Sequence, residues 1–373
     1  MTLRPVDEAG NAIGAPVVVG AKWLVGCDGG RSAVRNAMGL PFEGRSESTR
    51  WLVIDLADDP IGTPNVSFRL DDDLPYVELA LPHGIRRFEF MVPDGPDEAE
   101  FESDARVHAL LARVLPADVR PRIIRRRVYM HHARIAPTLR SGRVLIAGDT
   151  AHLMPVWQGQ GFNTGIRDAT NLGWKLALAS RGVAGDDLLG PLLSRIGPVR
   201  RYIAEMRFKP MPFFADGAVV HPGAPDAAGA VGKVFVQPRV ADGTGRISKL
   251  DDAIGLRFAL IGWSARFDAW LGADSRRLLE VLDARRVVVR PACQSLEREP
   301  QEDGLVLADV DGTFKRWFDA APGSVVVLRP DRIVAAVCLP WQLDATLHEL
   351  AARLRIDVAA LGAPRTLPTK EAA

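Results

Sequence analysis

The feature that most constrains this chain is the run RVLIAGDTAHLMPVWQGQGFNTGIRDATNLGWKLALA at residues 143–179. Val144, Leu145, Ile146 and Ala147 make a short apolar strand that stops abruptly at Gly148-Asp149. A glycine loop follows, and a helical pattern opens near Asn163. A strand tip carrying an acid, brought close to a helix start, points to an α/β architecture with a polar ligand at the junction.

A second corner of the same kind lies upstream. Residues 22–26 read as a strand ending at Cys27-Asp28-Gly29-Gly30, and RSAVRNAMG comes next as a short helix stopped by Gly39. The segment before it reads as a β-hairpin turning around residues 8–11. RWLVIDL, NVSFRL, YVELAL and RRFEFMV alternate with Asp, Pro and Gly clusters, so residues 51–92 predict an antiparallel sheet. EFESDARVHALLARVL predicts an amphipathic helix, its stripe being Val107, Leu110, Leu111, Val114 and Leu115. A strand over residues 123–135 leads into the Gly-Asp run. Beyond residue 231 the patterns strand, helix, strand, hairpin and closing helix describe a separate α/β unit.

Composition excludes several function classes. Lys plus Arg at 47 against Asp plus Glu at 46 leaves a formal charge of +1, with no general attraction to nucleic acid or an acidic membrane. Arg125, Arg126 and Arg127 sit within a strand pattern and read as its wet face. No apolar run approaches membrane-spanning length, and the first residues carry no secretory h-region. Cys27, Cys293 and Cys338 are too few and too scattered for a disulfide framework, a CxxC or a metal site, which suits a reducing cytoplasm. His131 and His132 on their strand have no metal-ligand spacing, and His152 in its turn reads as structural.

The two corners carry chemistry only in combination. Carboxylates at Asp28 and Asp149 suit the hydroxyls of a ribose or ribityl chain. Glycine lets backbone approach a ligand closely, and the helix from Asn163 presents N–H groups and a positive dipole end to a pyrophosphate. Its inner face is expected to be Ile166, Ala169, Gly173 and Leu176. Arg31 and Arg35 flank the first corner as surface charges or anion contacts. The spacing of Gly159, Gly161 and Gly165 is not a Rossmann fingerprint.

LVGCDGGRSAVR resembles the Asp-Gly motif, and residues 143–179 the Gly-Asp motif, of the class A flavin-dependent aromatic hydroxylases with the para-hydroxybenzoate hydroxylase fold. The second resemblance runs through Gly148, Asp149, His152, Pro155, Gly159, Gly161, Asn163, Asp168, Leu172, Trp174 and Lys175. PVRRYIAEMRFKPMP, GKVFVQPRV, AIGLRFALIGWS and VVVLRPDRIVAAVCLP look like the 3-(3-hydroxyphenyl)propionate (3-hydroxycinnamate) hydroxylases within that class. The resemblance covers nearly the whole chain. It implies FAD as cofactor, NADH or NADPH as electron donor and a phenolic aromatic substrate. By the same carry-over, Asp149 holds the ribityl chain, and Gly148 and Pro155 line the flavin. Gly159, Gln160, Gly161 and Asn163 bring backbone N–H groups to the cofactor, and Asp28, Gly29 and Arg31 serve FAD.

The expected fold is mixed α/β: an incomplete Rossmann-like FAD-binding domain with an antiparallel substrate sheet, and a thioredoxin-like C-terminal domain. The expected layout is a truncated FAD-binding domain at 1–182 with the sheet inserted at about 49–138, a linker and helical segment at 183–230, the thioredoxin-like domain at 231–358 and a tail at 359–373. The incompleteness is implied by the resemblance, because the family opens on a GxGxxG βαβ unit and no such fingerprint occurs in this sequence. Near Gly190 the sequence also departs from the family's Tyr-x-x-Glu-Arg-Arg helix. The leading reading is an aromatic hydroxylase of 3-(3-hydroxyphenyl)propionate type, and the alternative is a non-catalytic remnant or interaction protein without tight FAD binding. A cytoplasmic location is expected, with a homodimer as candidate assembly and neither nucleic acid nor membrane as partner. No catalytic base stands out, and spacing does not separate Tyr76, Tyr129 or Arg134 from core or surface residues.

Overall fold

Asp7 explains the opening hairpin. Its carboxylate accepts from the Asn11 backbone N–H at 2.8 Å and side-chain amide at 3.1 Å, clasping the loop between β1 (Thr2–Leu3) and β2 (Val17–Val18), which pair antiparallel. The computed structural model describes residues 2–70, 73–92, 98–154, 160–190, 213–215, 217–221, 229–263, 267–293 and 304–361, apart from the side chains of Glu47, Ser48, Glu98, Gln160 and Asp268. They fall into two units that interleave along the chain: Gly26–Thr138 with Ile146–Gly165, and Met1–Val25 with Leu139–Leu145 and Ile166–Ala373.

The first unit is organised by period-two alternation. After β3 (Leu24–Gly26) and α1 (Ala33–Ala37) come β4 (Glu43–Ala57), β5 (Val66–Arg69), β6 (Tyr76–Leu81) and β7 (Ile85–Val92). Helix α2 (Asp104–Val114) and β8 (Arg122–Ile135) come next. Leu52, Ile54 and Leu56 of β4 share a core with Phe88 and Phe90 of β7, and α2 covers it with Val107, Leu110 and Leu111. Ser103 caps α2 by accepting the Arg106 N–H at 3.3 Å. Counting β11 (His152–Leu153), the sheet order is β11-β8-β4-β7-β6-β5, every pair antiparallel. Arg125, Arg126 and Arg127 are exposed, as their pattern required.

The chain continues through β9 (Arg140–Ser141), β10 (Val144–Ile146) and α3 (Gln160–Ser180). Here one expectation fails. Ile166 is 46% exposed, Ala169 and Gly173 are exposed and Leu176 is half-buried; the buried side carries Asn171, Leu172, Trp174, Lys175, Leu178 and Ala179. Small residues offer little apolar area, whereas Leu172, Trp174 and Leu178 offer far more. The two cations near this side are matched locally. Buried Arg329 pairs with Asp331 at 2.5 Å, donates to Asn171 Oδ1 at 3.2 Å and lies over the Trp174 ring at 5.2 Å. Burial, reinforced by Arg329 and opposed by Asp331, pushes the Lys175 ammonium down to about 8.

The second unit is dominated by a seven-stranded sheet. It contains β12 (Arg239–Ala241), β13 (Ile247–Lys249), β14 (Ala259–Trp263), β15 (Arg285–Pro291), β16 (Leu305–Asp309), β17 (Val325–Leu328) and β18 (Val334–Cys338). Strands β14, β15 and β16 run parallel, and β17 and β18 close one side as an antiparallel hairpin. Every residue of β17 and β18 is buried, the continuous apolar reading of strands covered on both faces. Helices α5 (Ala273–Val281) and α7 (Leu343–Arg353) contribute Leu278, Leu347 and Leu350 to one core. Helices α4 (Leu250–Ile254) and α6 (Thr313–Asp319) contribute Leu250, Ile254, Phe314 and Phe318 to the other. The parallel βαβ step, hairpin and closing helix are the pattern expected of a thioredoxin-like unit. Much of the expected linker, and residues 362–373 of the tail, lie outside the described residues. Among the described residues no helix is long and apolar enough to cross a membrane.

Candidate functional site

Two backbone bonds decide how the corners are presented. The Leu24 N–H donates to the Arg143 carbonyl and the Ala147 N–H to the Gly26 carbonyl, each at 3.0 Å. Only a parallel pair gives bonds in that order, so β3 and β10 end on the same side. The carboxyl ends of parallel strands are where α/β sheets hold ligands. Asp28, Gly148 and Asp149, with the first turn of α3, therefore belong to one place in the first unit.

At the first corner the carboxylate is exposed but bonded to the protein. Asp28 Oδ1 accepts from the Ser32 hydroxyl at 2.5 Å and the Thr150 hydroxyl at 3.1 Å, while Oδ2 accepts the Val34 N–H at 3.1 Å. Partial burial acts to raise its pKa, but the Ser32, Val34 and Thr150 bonds outweigh it and bring the group down to about 2. Ser32 in turn caps α1 by accepting the Arg35 N–H at 2.8 Å. Arg35 is not a surface charge. It is buried, donates to the Thr150 carbonyl at 3.0 Å and the Gly30 carbonyl at 2.8 Å, and lies 3.8 Å from the Phe42 ring centroid. Arg31 is exposed and Gly29 sits at φ 80°.

At the second corner, among the described residues, no hydrogen bond holds the acid. Gly148 takes φ 62°, a left-handed conformation natural to glycine, and starts a single 3-10 turn over Gly148–Thr150. That turn buries Thr150 and leaves Asp149 exposed. The α3 backbone passes close by: a Cβ on Gly165 would lie 3.6 Å from the Gly148 Cα. Nothing lies within 4 Å of a Cβ built on Gly161, and Asn163 is exposed. Pro155 and Gly159 fall outside the described residues, and Gln160 opens α3.

Other named residues take structural places. His152 is buried on β11 opposite Ile135, and Tyr76 packs against Phe88 and Phe90. The Tyr129 hydroxyl donates to Glu89 Oε2 at 3.0 Å; burial and then Glu89 raise its pKa beyond the normal phenol range. Among the described residues no group of His, Cys, Asp or Glu could hold a metal, and Cys27, Cys293 and Cys338 form no disulfide. Sequence reasoning missed Ser32 and Thr150 as ties between the corners. Ser32 four residues after Asp28 is a local capping signal; Thr150, 122 positions away, has none.

A family profile described as an FAD binding domain matches residues 10–195, and one described as an HcaD C-terminal domain matches residues 232–353. The chain is 43% identical over 366 residues to a 3-(3-hydroxyphenyl)propionate/3-hydroxycinnamic acid hydroxylase of Mycobacterium sp. (strain KMS), covering 87% of this chain and 64% of that protein. It is 41% identical over 382 residues to the same-named hydroxylase of Escherichia coli O157:H7 (strain EC4115 / EHEC), covering 91% of this chain and 69% of that one. This chain thus spans 64% of the length of the Mycobacterium relative. In fold it is similar to the flavin-dependent monooxygenase PieE in complex with FAD and substrate, with TM-score 0.75, 18% identity and coverage of 95% and 73% of the two chains. It is also similar to aklavinone-11 hydroxylase in a ternary complex with FAD and aklavinone, with TM-score 0.69, 21% identity and coverage of 94% and 70%.

Proposed function

The chain belongs to the 3-(3-hydroxyphenyl)propionate/3-hydroxycinnamic acid hydroxylase family, and on that premise we propose that it takes part in FAD-dependent, NAD(P)H-driven hydroxylation of a phenolic aromatic acid in the cytoplasm. The observation that carries the reading is the exposed Asp149 beside a left-handed Gly148, on a corner fastened to its neighbour through Thr150, Asp28 and Arg35. The residues fit a flavin dinucleotide: Asp149 accepts from ribityl hydroxyls, and Gly148 and Gly161 leave the backbone bare for close approach. The first turn of α3 supplies N–H groups to the phosphates. Bound flavin supplies the electron and oxygen chemistry, for which no side chain has an equivalent. The chain's own part is to hold the cofactor, orient the ring and exclude water. The family matches at 10–195 and 232–353 support an FAD-binding part reaching about residue 182 and a separate C-terminal domain from about 231.

The test is the visible spectrum of the purified chain after loading with FAD and removal of free cofactor. A retained flavin band that disappears in Asp149→Ala, together with NAD(P)H oxidation dependent on 3-(3-hydroxyphenyl)propionate, is the expected result. A colourless chain would defeat the proposal for this polypeptide.

A further inference from the structure

Two arginines of β7 that are drawn out of water pair with carboxylates, and Arg134 of β8 offers a contrast. Buried Arg86 pairs with Asp59 at 2.8 Å and Glu78 at 3.6 Å, and half-buried Arg87 with Asp55 at 2.7 Å and Glu89 at 3.9 Å. Half-buried Arg134 has no carboxylate among the described residues. Its Nη2 donates to the Ser46 hydroxyl at 2.7 Å, and the same oxygen lies 2.8 Å from His132 Nδ1. Burial, and then the Arg134 charge, hold the His132 pKa below its ordinary value, which favours the neutral imidazole beside the guanidinium. A guanidinium removed from water without an anion is costly, which makes this cluster receptive to one.

The backbone keeps the place open. Arg134 and His132 are two residues apart on β8 and so share a face; on β4, Ser46 stands opposite His132 and Gly44 opposite Arg134. Gly44 has φ 130°, and a Cβ there would fall 2.0 Å from the Ala133 carbonyl oxygen, so no side chain can stand across from Arg134 on that strand. On the other flank Leu153 of β11 lies opposite Arg134, and its Cδ1 would be 3.0 Å from a Cβ on Gly30. The cluster therefore sits at the end of the sheet that meets the Asp28 corner.

We propose that Ser46, His132 and Arg134 form the seat for the carboxylate of an aromatic acid substrate. This rests on the hydroxylase reading above, because the relatives are named for 3-(3-hydroxyphenyl)propionate and 3-hydroxycinnamic acid, which carry a carboxylate at the far end from the phenol. Arg134 supplies the opposing charge, Ser46 fixes the guanidinium plane, and His132 keeps the hydroxyl turned towards the cluster.

The experiment is equilibrium dialysis of the full chain, incubated with FAD, against 3-phenylpropionate and against its uncharged amide. The wild type is expected to prefer the acid by about tenfold, the worth of one charge-assisted contact. Arg134→Gln should abolish that preference while leaving amide binding within about twofold, Arg134→Lys should recover part of it, and Ser46→Ala should lower it with the charge retained. Equal binding of acid and amide by the wild type, or a preference that survives Arg134→Gln, would overturn the seat. Flavin retention on the same samples separates the two readings. Retained flavin without acid preference removes the seat and leaves the hydroxylase, whereas acid preference lost in Arg134→Gln without retained flavin keeps the seat and removes the cofactor reading.

Discussion

At Cys27-Asp28-Gly29-Gly30 the exposed carboxylate is bonded to Ser32, Val34 and Thr150, whereas among the described residues no hydrogen bond holds the equally exposed Asp149 carboxylate at Gly148-Asp149, although the strands that deliver them run parallel and end on the same side. The residue types are the same and only their order differs. The difference comes from the residues just downstream of each acid. Ser32 and Val34 on a helix start supply donors to Asp28, while the single turn after Gly148 spends its hydroxyl, Thr150, on the other corner. A carboxylate already solvated by three protein donors is a brace, and one left to water keeps its lone pairs for a ligand. Asp28 thus holds the ground on which Asp149 stands.

Breaking the brace at its centre should have the largest effect. Arg35→Ala removes both bonds that join the Gly30 and Thr150 carbonyls and the stacking over Phe42. We expect a loss of roughly 3 kcal/mol, from carbonyls left without donors and a cavity in their place, read by urea unfolding. Flavin retention should fall with it, since both corners lose their common tie. Wild-type stability in Arg35→Ala would mean that the corners are held by something else.

Asp28→Asn should cost less, about 1 kcal/mol, because it weakens hydrogen bonds that a neutral amide still partly makes. Its pH dependence sharpens the comparison. The Asp28 pKa is depressed from 3.8 to about 2, so its stabilisation is fully present above 3.8 and is lost as pH falls through about 2. The stability gap between wild type and Asp28→Asn should therefore close over that window in acid titrations. A constant gap would show that charge plays no part in the brace.

The sequence exposed the corners more clearly than the brace between them. Asp28, Gly148 and Asp149 declare themselves because strand ends, glycine and acid are local signals, and the strands of the antiparallel sheet do so because alternation is local too. The partnership of Arg35 with Thr150 joins residues 115 positions apart, and no spacing rule reaches that far. The inner face of α3 misled for a different reason. Ile166, Ala169 and Gly173 make a regular stripe, but which stripe is buried depends on what is packed against it, and Trp174 with Phe258 in an edge-to-face contact outweighs small residues. Lys175 and Asn171 look like an outer face until Arg329 and Asp331 are placed beside them.

Asp149→Ala is the smallest change in stability and the most decisive in function. An exposed carboxylate at a turn carries little of the fold, so unfolding should shift by no more than about 0.5 kcal/mol. If Asp149 is the ligand-facing acid, the same variant should lose the retained flavin band that Asp28→Asn, corrected for its stability, largely keeps. The reverse pattern, flavin lost with Asp28→Asn and kept with Asp149→Ala, would exchange the roles of the two corners: the bonded carboxylate of Asp28 would then reach the cofactor, and Asp149 would be an ordinary turn residue.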